Sequence, residues 1–184
     1  DGGESGEPVT FMVKEGQADL TGNIVTLTRL GPLRIMASQE GSANYLAAPV
    51  VVRTFTVDPA PVTIDFGGLE QTYAGAAKGV TATTTPAGVP VSISYTADGD
   101  VVTPVQAGQY GVVATVTDPN YTGTGSATLT VNPAVLTVTA GNTSRFYGES
   151  NPAFISQYSG FVEGEDESVL TSPVILQTDA RQLS

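Results

Sequence analysis

The chain has no cysteine, no histidine and no tryptophan among its 184 residues, and its 7 Lys and Arg face 18 Asp and Glu, a formal net charge of −11. Each shortage excludes a chemistry. Without a thiolate or an imidazole, this chain alone cannot build a Cys or His nucleophile, a Ser-His-Asp triad or a Cys/His zinc site. With so few cations it cannot neutralise a run of phosphates, so no nucleic-acid partner is expected. No stretch comes near the roughly 20 continuous apolar residues of a membrane-spanning helix. The longest apolar run, Leu46–Val52, is short and broken by Pro49, so no membrane contact by this segment is expected. Asp1-Gly2-Gly3-Glu4 is the reverse of the basic start of a targeting segment. Lack of cysteine suits a reducing cytosol and equally a bacterial exterior where proteins do without disulfides, so it leaves the compartment open.

What is present points to strands. Hydrophobic residues make up 40% and charged residues only 14%, with 21 Gly and 12 Pro. That hydrophobicity is too high, and that charge too low, for charge-driven disorder. Abundant Val and Thr punctuated by Gly and Pro fit short strands joined by tight turns.

The strongest feature is internal repetition. Pro59-Ala60-Pro61-Val62-Thr63-Ile64 returns as Pro133-Ala134-Val135-Leu136-Thr137-Val138, and Gln71-Thr72-Tyr73-Ala74-Gly75 returns as Arg145-Phe146-Tyr147-Gly148-Glu149, both at an offset of 74 residues (133 − 59 and 147 − 73). Upstream, Asn44-Tyr45 and Phe55–Ala60 align with Asn120-Tyr121 and Leu129–Ala134, and Gly31–Ala37 aligns with Gly108–Ala114. The expected organisation is therefore a partial module over 1–58, a complete module over 59–132 and the opening of a third over 133–184. Short hinges at Pro59 and Pro133 separate them, where a missing N–H suits a strand leaving one sheet to begin the next.

Within the modules the apolar period is two. Tyr110, Val112, Ala114 and Val116 fall on one face of their strand, as do Leu129 and Val131, while Thr occupies the outward face. Turn signals separate these runs at Thr21-Gly22-Asn23, Thr85–Gly88, Asp98-Gly99-Asp100 and Asp118-Pro119-Asn120. No segment carries a capped helical stripe. The expected fold is all-β, a tandem of immunoglobulin-like antiparallel β-sandwich modules with the first and last incomplete. Tyr110, heading its strand after Gly108-Gln109, fits either a corner tyrosine bonded to upstream backbone or an ordinary core tyrosine. Both readings bury it, and Leu33 stands at the aligned position of the first module.

These residues also resemble a known group. Val80–Gly88, Ala107–Tyr110 and Val116–Tyr121 are similar to the repeated MBG-type domains of bacterial surface and secreted proteins. Leu136–Ala140, Arg145-Phe146-Tyr147-Gly148 and Tyr158–Val162 resemble the Tyr-Gly variety, and residues 9–57 resemble the latter part of a related immunoglobulin-like repeat. The resemblance implies a tandem array on a large extracellular, adhesin-like bacterial protein. The third module departs from the pattern by reaching Ser184 before an Asn-Tyr pair or a final strand.

No catalytic, cofactor-binding or metal-binding residue is assigned from the sequence, and no cofactor is expected. Glu163-Gly164-Glu165-Asp166-Glu167 brings four carboxylates into five residues, where a calcium site competes with the simpler reading of a solvated loop. Asp98-Gly99-Asp100 reads foremost as a hairpin turn. Nothing identifies the carboxylate pair that glycoside hydrolysis needs, and the chain is not expected to be an enzyme. Lys78, one of two lysines with Lys14, raises the question of an isopeptide link but has no nameable partner and reads as exposed. The sequons Asn120-Tyr121-Thr122 and Asn142-Thr143-Ser144 read as turns in a Thr-rich chain. Tyr45, Tyr73, Tyr121, Tyr147 and Tyr158 are candidates for a sugar-stacking platform, though recurrence at repeat positions favours packing within each module.

The expected role is a spacer or stalk supporting adhesion or display of a distal domain, with neighbouring modules of the same chain as partners. The alternatives are a module that binds a glycan or host protein through loops 98–106 or 163–168, and an accessory module of a secreted enzyme.

Overall fold

The computed structural model describes residues 7–172 and 174–180; Asp1–Glu4, considered above for targeting, and Ser184 lie outside them. The described residues are all-β, with one 3-10 turn at Glu167–Val169 and no α-helix. In chain order the strands are β1 (Thr10–Glu15), β2 (Ala18–Thr21), β3 (Ile24–Leu27), β4 (Gly31–Ser38), β5 (Val51–Val57), β6 (Ala60–Pro61), β7 (Thr63–Gly67) and β8 (Glu70–Thr72), then β9 (Thr81–Thr85), β10 (Val91–Ala97), β11 (Asp100–Val101), β12 (Gly108–Val116), β13 (Tyr121–Thr122), β14 (Thr124–Asn132), β15 (Thr137–Ala140) and β16 (Ser156–Ser159). They form two compact units interleaved along the sequence.

The first unit comprises residues 7–63, 85–91 and 116–124 of the described chain. Its main sheet is antiparallel, in the order β1-β4-β5, with Phe11 opposite Ala37, Leu33 opposite Phe55 and Ala37 opposite Val51. Cross-strand partners share a face, so Phe11, Leu33, Ala37, Val51 and Phe55 line one side. Leu33 alone on this sheet is fully covered, 2% exposed, while Phe55 is 41% exposed. Strands β2 and β3 form a hairpin across the two-residue turn Gly22-Asn23, as the Thr21-Gly22-Asn23 signal implies. After Pro59, β6 pairs in parallel with β13, with Ala60 N–H and Val62 N–H donating to Asn120 and Thr122 carbonyls at 2.9 Å each. The strand thus changes sheets at this proline, from β5's sheet to a new partner.

The second unit comprises residues 64–84, 92–115 and 125–180 of the described chain. It is built on the five-stranded sheet β11-β10-β12-β14-β8, whose last pair is parallel, Thr130 opposite Glu70 and Asn132 opposite Thr72. The alternation read from sequence is realised here: Val112, Ala114, Leu129 and Val131 are 0–1% exposed. Tyr110, Val112, Leu129 and Val131 form one cluster against which Phe66 of β7, Val80, Ile93 and Tyr95 pack. Burying each such side chain stabilises by about 1.5–3 kcal/mol. The β7–β9 pair supplies the second layer of the sandwich through Phe66. Tyr110 is both a corner and a core tyrosine, 8% exposed with its hydroxyl donating to the Gln106 carbonyl at 2.8 Å. At the tip of the β10–β11 hairpin Asp98 and Gly99 have φ of 52° and 93°, the two positive values a type I′ turn requires. Beyond Pro133, β15 pairs antiparallel with β16.

Candidate functional site

The second unit contains a groove of about 200 Å³ where residues before Pro133 meet residues after it. It forms because β14 ends at Asn132, whose carbonyl accepts the Tyr73 N–H at 2.8 Å, and the chain turns through Pro133 into β15. Tyr73 is thereby fixed at the end of β8, facing the segment that follows β16. Tyr73, Ala107 and Leu136 line one part of the groove, and Phe161, Val162 and Glu165 another. Phe161 is held by Tyr158, ring centroids 5.6 Å apart.

Two contacts close this junction. The Tyr73 hydroxyl donates a short hydrogen bond to the Glu165 carboxylate. Gly75, at φ +69°, faces Val162 so closely that a Cβ there would lie 2.9 Å from the valine Cγ1. Position 75 thus needs glycine both for its left-handed backbone and for the approach of Val162. The bond to Glu165, reinforced by partial burial and by the carboxylate's negative charge, raises the Tyr73 pKa above its ordinary value of 10.0.

The acidic loop is ordered by local bonds. Glu165 is engaged with Tyr73, and its N–H donates to the Val162 carbonyl at 2.9 Å. Asp166 caps the 3-10 turn by accepting the Ser168 N–H at 2.9 Å, and the Ser168 hydroxyl and N–H together lower its pKa below 3.8. Among the described residues no three acidic side chains gather to hold a metal ion.

The other sequence candidates fall elsewhere. Loop 98–106 is tied down by the Val102 N–H to Tyr95 carbonyl bond at 3.0 Å and by the Lys78 N–H to Pro104 carbonyl bond at 2.8 Å, with Pro104 fully buried. Lys78 is half-buried rather than exposed and makes no ion pair among the described residues. Asn120 closes a turn by donating its N–H and side-chain amide to Asp118, as read from Asp118-Pro119-Asn120. The recurring tyrosines do not share one role: Tyr73, Tyr121 and Tyr158 are half-buried, whereas Tyr45 and Tyr147 are exposed. The expectation of common packing fails for these last two because Tyr45 lies in a local loop bridge with Ser42 and Tyr147 on a turn. Sequence reading missed Tyr95, whose hydroxyl accepts the Val80 N–H at 2.9 Å.

Tyr73 and Glu165, two of the groove's three polar side chains, satisfy each other, and its volume falls below the roughly 300–1,000 Å³ of small-molecule sites. It is a packed joint within a β-sandwich array, which defines the class: tandem, all-β, immunoglobulin-like modules. Residues 60–135 match the family model of the MBG domain and residues 136–184 that of the MBG domain (YGX type). Residues 60–184 belong to the MBG domain family, whose members are non-catalytic repeat modules that typically occur in extracellular, adhesin-like surface proteins. Comparison with curated proteins and with solved structures finds no match. No helix among the described residues is long and apolar enough to cross a membrane.

Proposed function

We propose that this chain is a spacer segment of a large extracellular bacterial surface protein, holding a distal adhesive or displayed domain away from the cell. The observation that carries this reading is the joint at Pro133, where Tyr73 and Glu165 bond across the boundary between the two adjacent MBG matches. A repeat that spends its aromatic and acidic side chains on the next repeat is built for continuity of the array. The partners are accordingly neighbouring modules of the same chain. The net charge of −11 keeps such a chain soluble and slow to self-associate, over a range of about 8 Å at physiological salt. Loops 98–106 and 163–168, the candidates for glycan or protein capture, are both engaged in internal hydrogen bonds, which favours the spacer over a ligand-binding module. Small-angle scattering on a chain with several complete modules tests the proposal: an elongated particle whose length grows with module number is expected, and a compact globule would overturn it.

A further inference from the structure

Tyr73 and Tyr147 occupy equivalent places in the repeat, 74 residues apart, yet they live in different surroundings. Tyr73 is half-buried and bonded to Glu165. Tyr147 is 81% exposed, and Phe146 beside it is 80% exposed. Two adjacent aromatic rings so fully in water are costly to display, because each keeps a large apolar surface hydrated.

The display is held in place. The Glu149 N–H donates to the Phe146 carbonyl at 3.1 Å, and the Phe146 N–H donates back to the Glu149 carboxylate at 3.0 Å, closing a tight turn around Tyr147 and Gly148. Arg145 Nε donates to Asn151 Oδ1 at 2.8 Å, and Asn151 in turn donates to the Ala180 carbonyl at 2.8 Å. A surface ordered before it is occupied loses less freedom when a partner arrives.

We infer that Phe146 and Tyr147 form a docking surface for the acidic loop of another MBG-type module, in the way that Tyr73 receives Glu165 within this chain. The occupant is a loop of the Gly160–Glu167 kind, a carboxylate to accept the tyrosine hydroxyl and an aliphatic side chain to cover the neighbouring ring. Charge complementarity supports that choice. Where the occupied copy has the neutral Gln71, this copy has Arg145, a cation two residues from the tyrosine. The known occupant is strongly acidic, carrying Glu163, Glu165, Asp166 and Glu167. Glu149, a carboxylate beside the tyrosine, is engaged with the Phe146 N–H. This inference rests on the array reading and adds to it the residues by which one module takes the next.

The test extends the full chain by a second copy of residues 111–184, which keeps the 74-residue spacing and places a second acidic loop at high effective concentration. Nitration of each tyrosine by tetranitromethane is followed by peptide mass spectrometry, with exposed Tyr45 as the internal reference. The expected result is a several-fold fall in Tyr147 nitration, to the level of Tyr73, reversed when the Glu165 counterpart in the added copy is changed to Gln. Tyr147 nitrated at the same rate in both chains would overturn the inference. A second measurement needs no added module: a peptide of residues 158–170 is titrated into the isotopically labelled chain. Saturable shifts of the Phe146, Tyr147 and Gly148 amides support the surface, and none up to millimolar peptide overturns it. An elongated scattering profile together with a freely nitrated Tyr147 would leave the spacer reading standing and remove this one.

Discussion

The sheet of β12 and β14 and the sheet of β1, β4 and β5 carry the same alternating pattern, yet only the first makes a closed core. In the second unit Tyr110, Val112, Leu129 and Val131 are sealed because Phe66, Val80 and Tyr95 reach across from other elements to cover them. In the first unit the inward pattern runs through Phe11, Leu33, Ala37, Val51 and Phe55, but Leu33 alone is fully covered. Alternation specifies which face is apolar; a second layer decides whether that face is buried. Stability should follow coverage rather than hydrophobicity.

A pair of cavity mutants separates the two sheets by the largest expected effect. Leu129→Ala should destabilise the second unit by about 2–5 kcal/mol, because its surroundings cannot collapse into the space. Leu33→Ala should fall at the low end of that range, since its neighbour Phe55 is already part-hydrated and can move. Denaturant unfolding followed by residue-specific hydrogen exchange separates the two, and a larger loss at Leu33 would contradict the coverage argument. In the unmodified chain the same exchange experiment should find amides of β12 and β14 the slowest and those of β1, β4 and β5 faster. Uniform protection would also contradict it.

Smaller losses are expected at Gly75 and Tyr110. Gly75→Ala combines a left-handed backbone with the Val162 contact and should cost about 1–2 kcal/mol, read as a lowered midpoint and loss of the Tyr73 bond. Tyr110→Phe keeps the ring and removes the bond to Gln106, a loss of about 0.5–1.5 kcal/mol without a change in the cluster. The smallest effect is spectroscopic. Because Tyr73 has its pKa raised in the folded state, it holds its proton over a range where an unfolded tyrosine releases it. The contribution is therefore complete below pH 10.0 and is lost as pH rises through the folded value. Ultraviolet titration compared with that of Tyr73→Phe should show Tyr73 ionising above its ordinary value, and Glu165→Gln should move it back toward that value; an unchanged curve would remove the bond's role.

Much of this architecture was legible from residues. The period-two runs, the Asp98-Gly99 turn, the burial of Tyr110 and the sheet change at Pro59 all follow from local chemistry acting within a few positions. What lay beyond reach was of another kind. Tyr73 and Glu165 are 92 residues apart, and no local pattern says which of several carboxylates a given hydroxyl will meet. The exposure of Tyr147 was hidden for the same reason: the repeat announces the residue, while its neighbours in space determine whether it is covered. The half-burial of Lys78 depends likewise on loop 98–106 folding back to offer the Pro104 carbonyl.

The short parallel ladder between β8 and β14 has a consequence under tension. Thr130, Val131 and Asn132 lie level with Glu70, Gln71 and Thr72, bracketed by the Thr130 N–H to Leu69 and Tyr73 N–H to Asn132 bonds at 2.8 Å each. A pull that enters the chain ahead of β8 and leaves it after β14 drags these two strands in opposite directions along their own axes. All the rungs are then loaded in shear at the same instant, where an antiparallel hairpin would peel one rung at a time. In force spectroscopy this ladder should yield as one abrupt rupture, and a series of small steps would show that the load travels elsewhere.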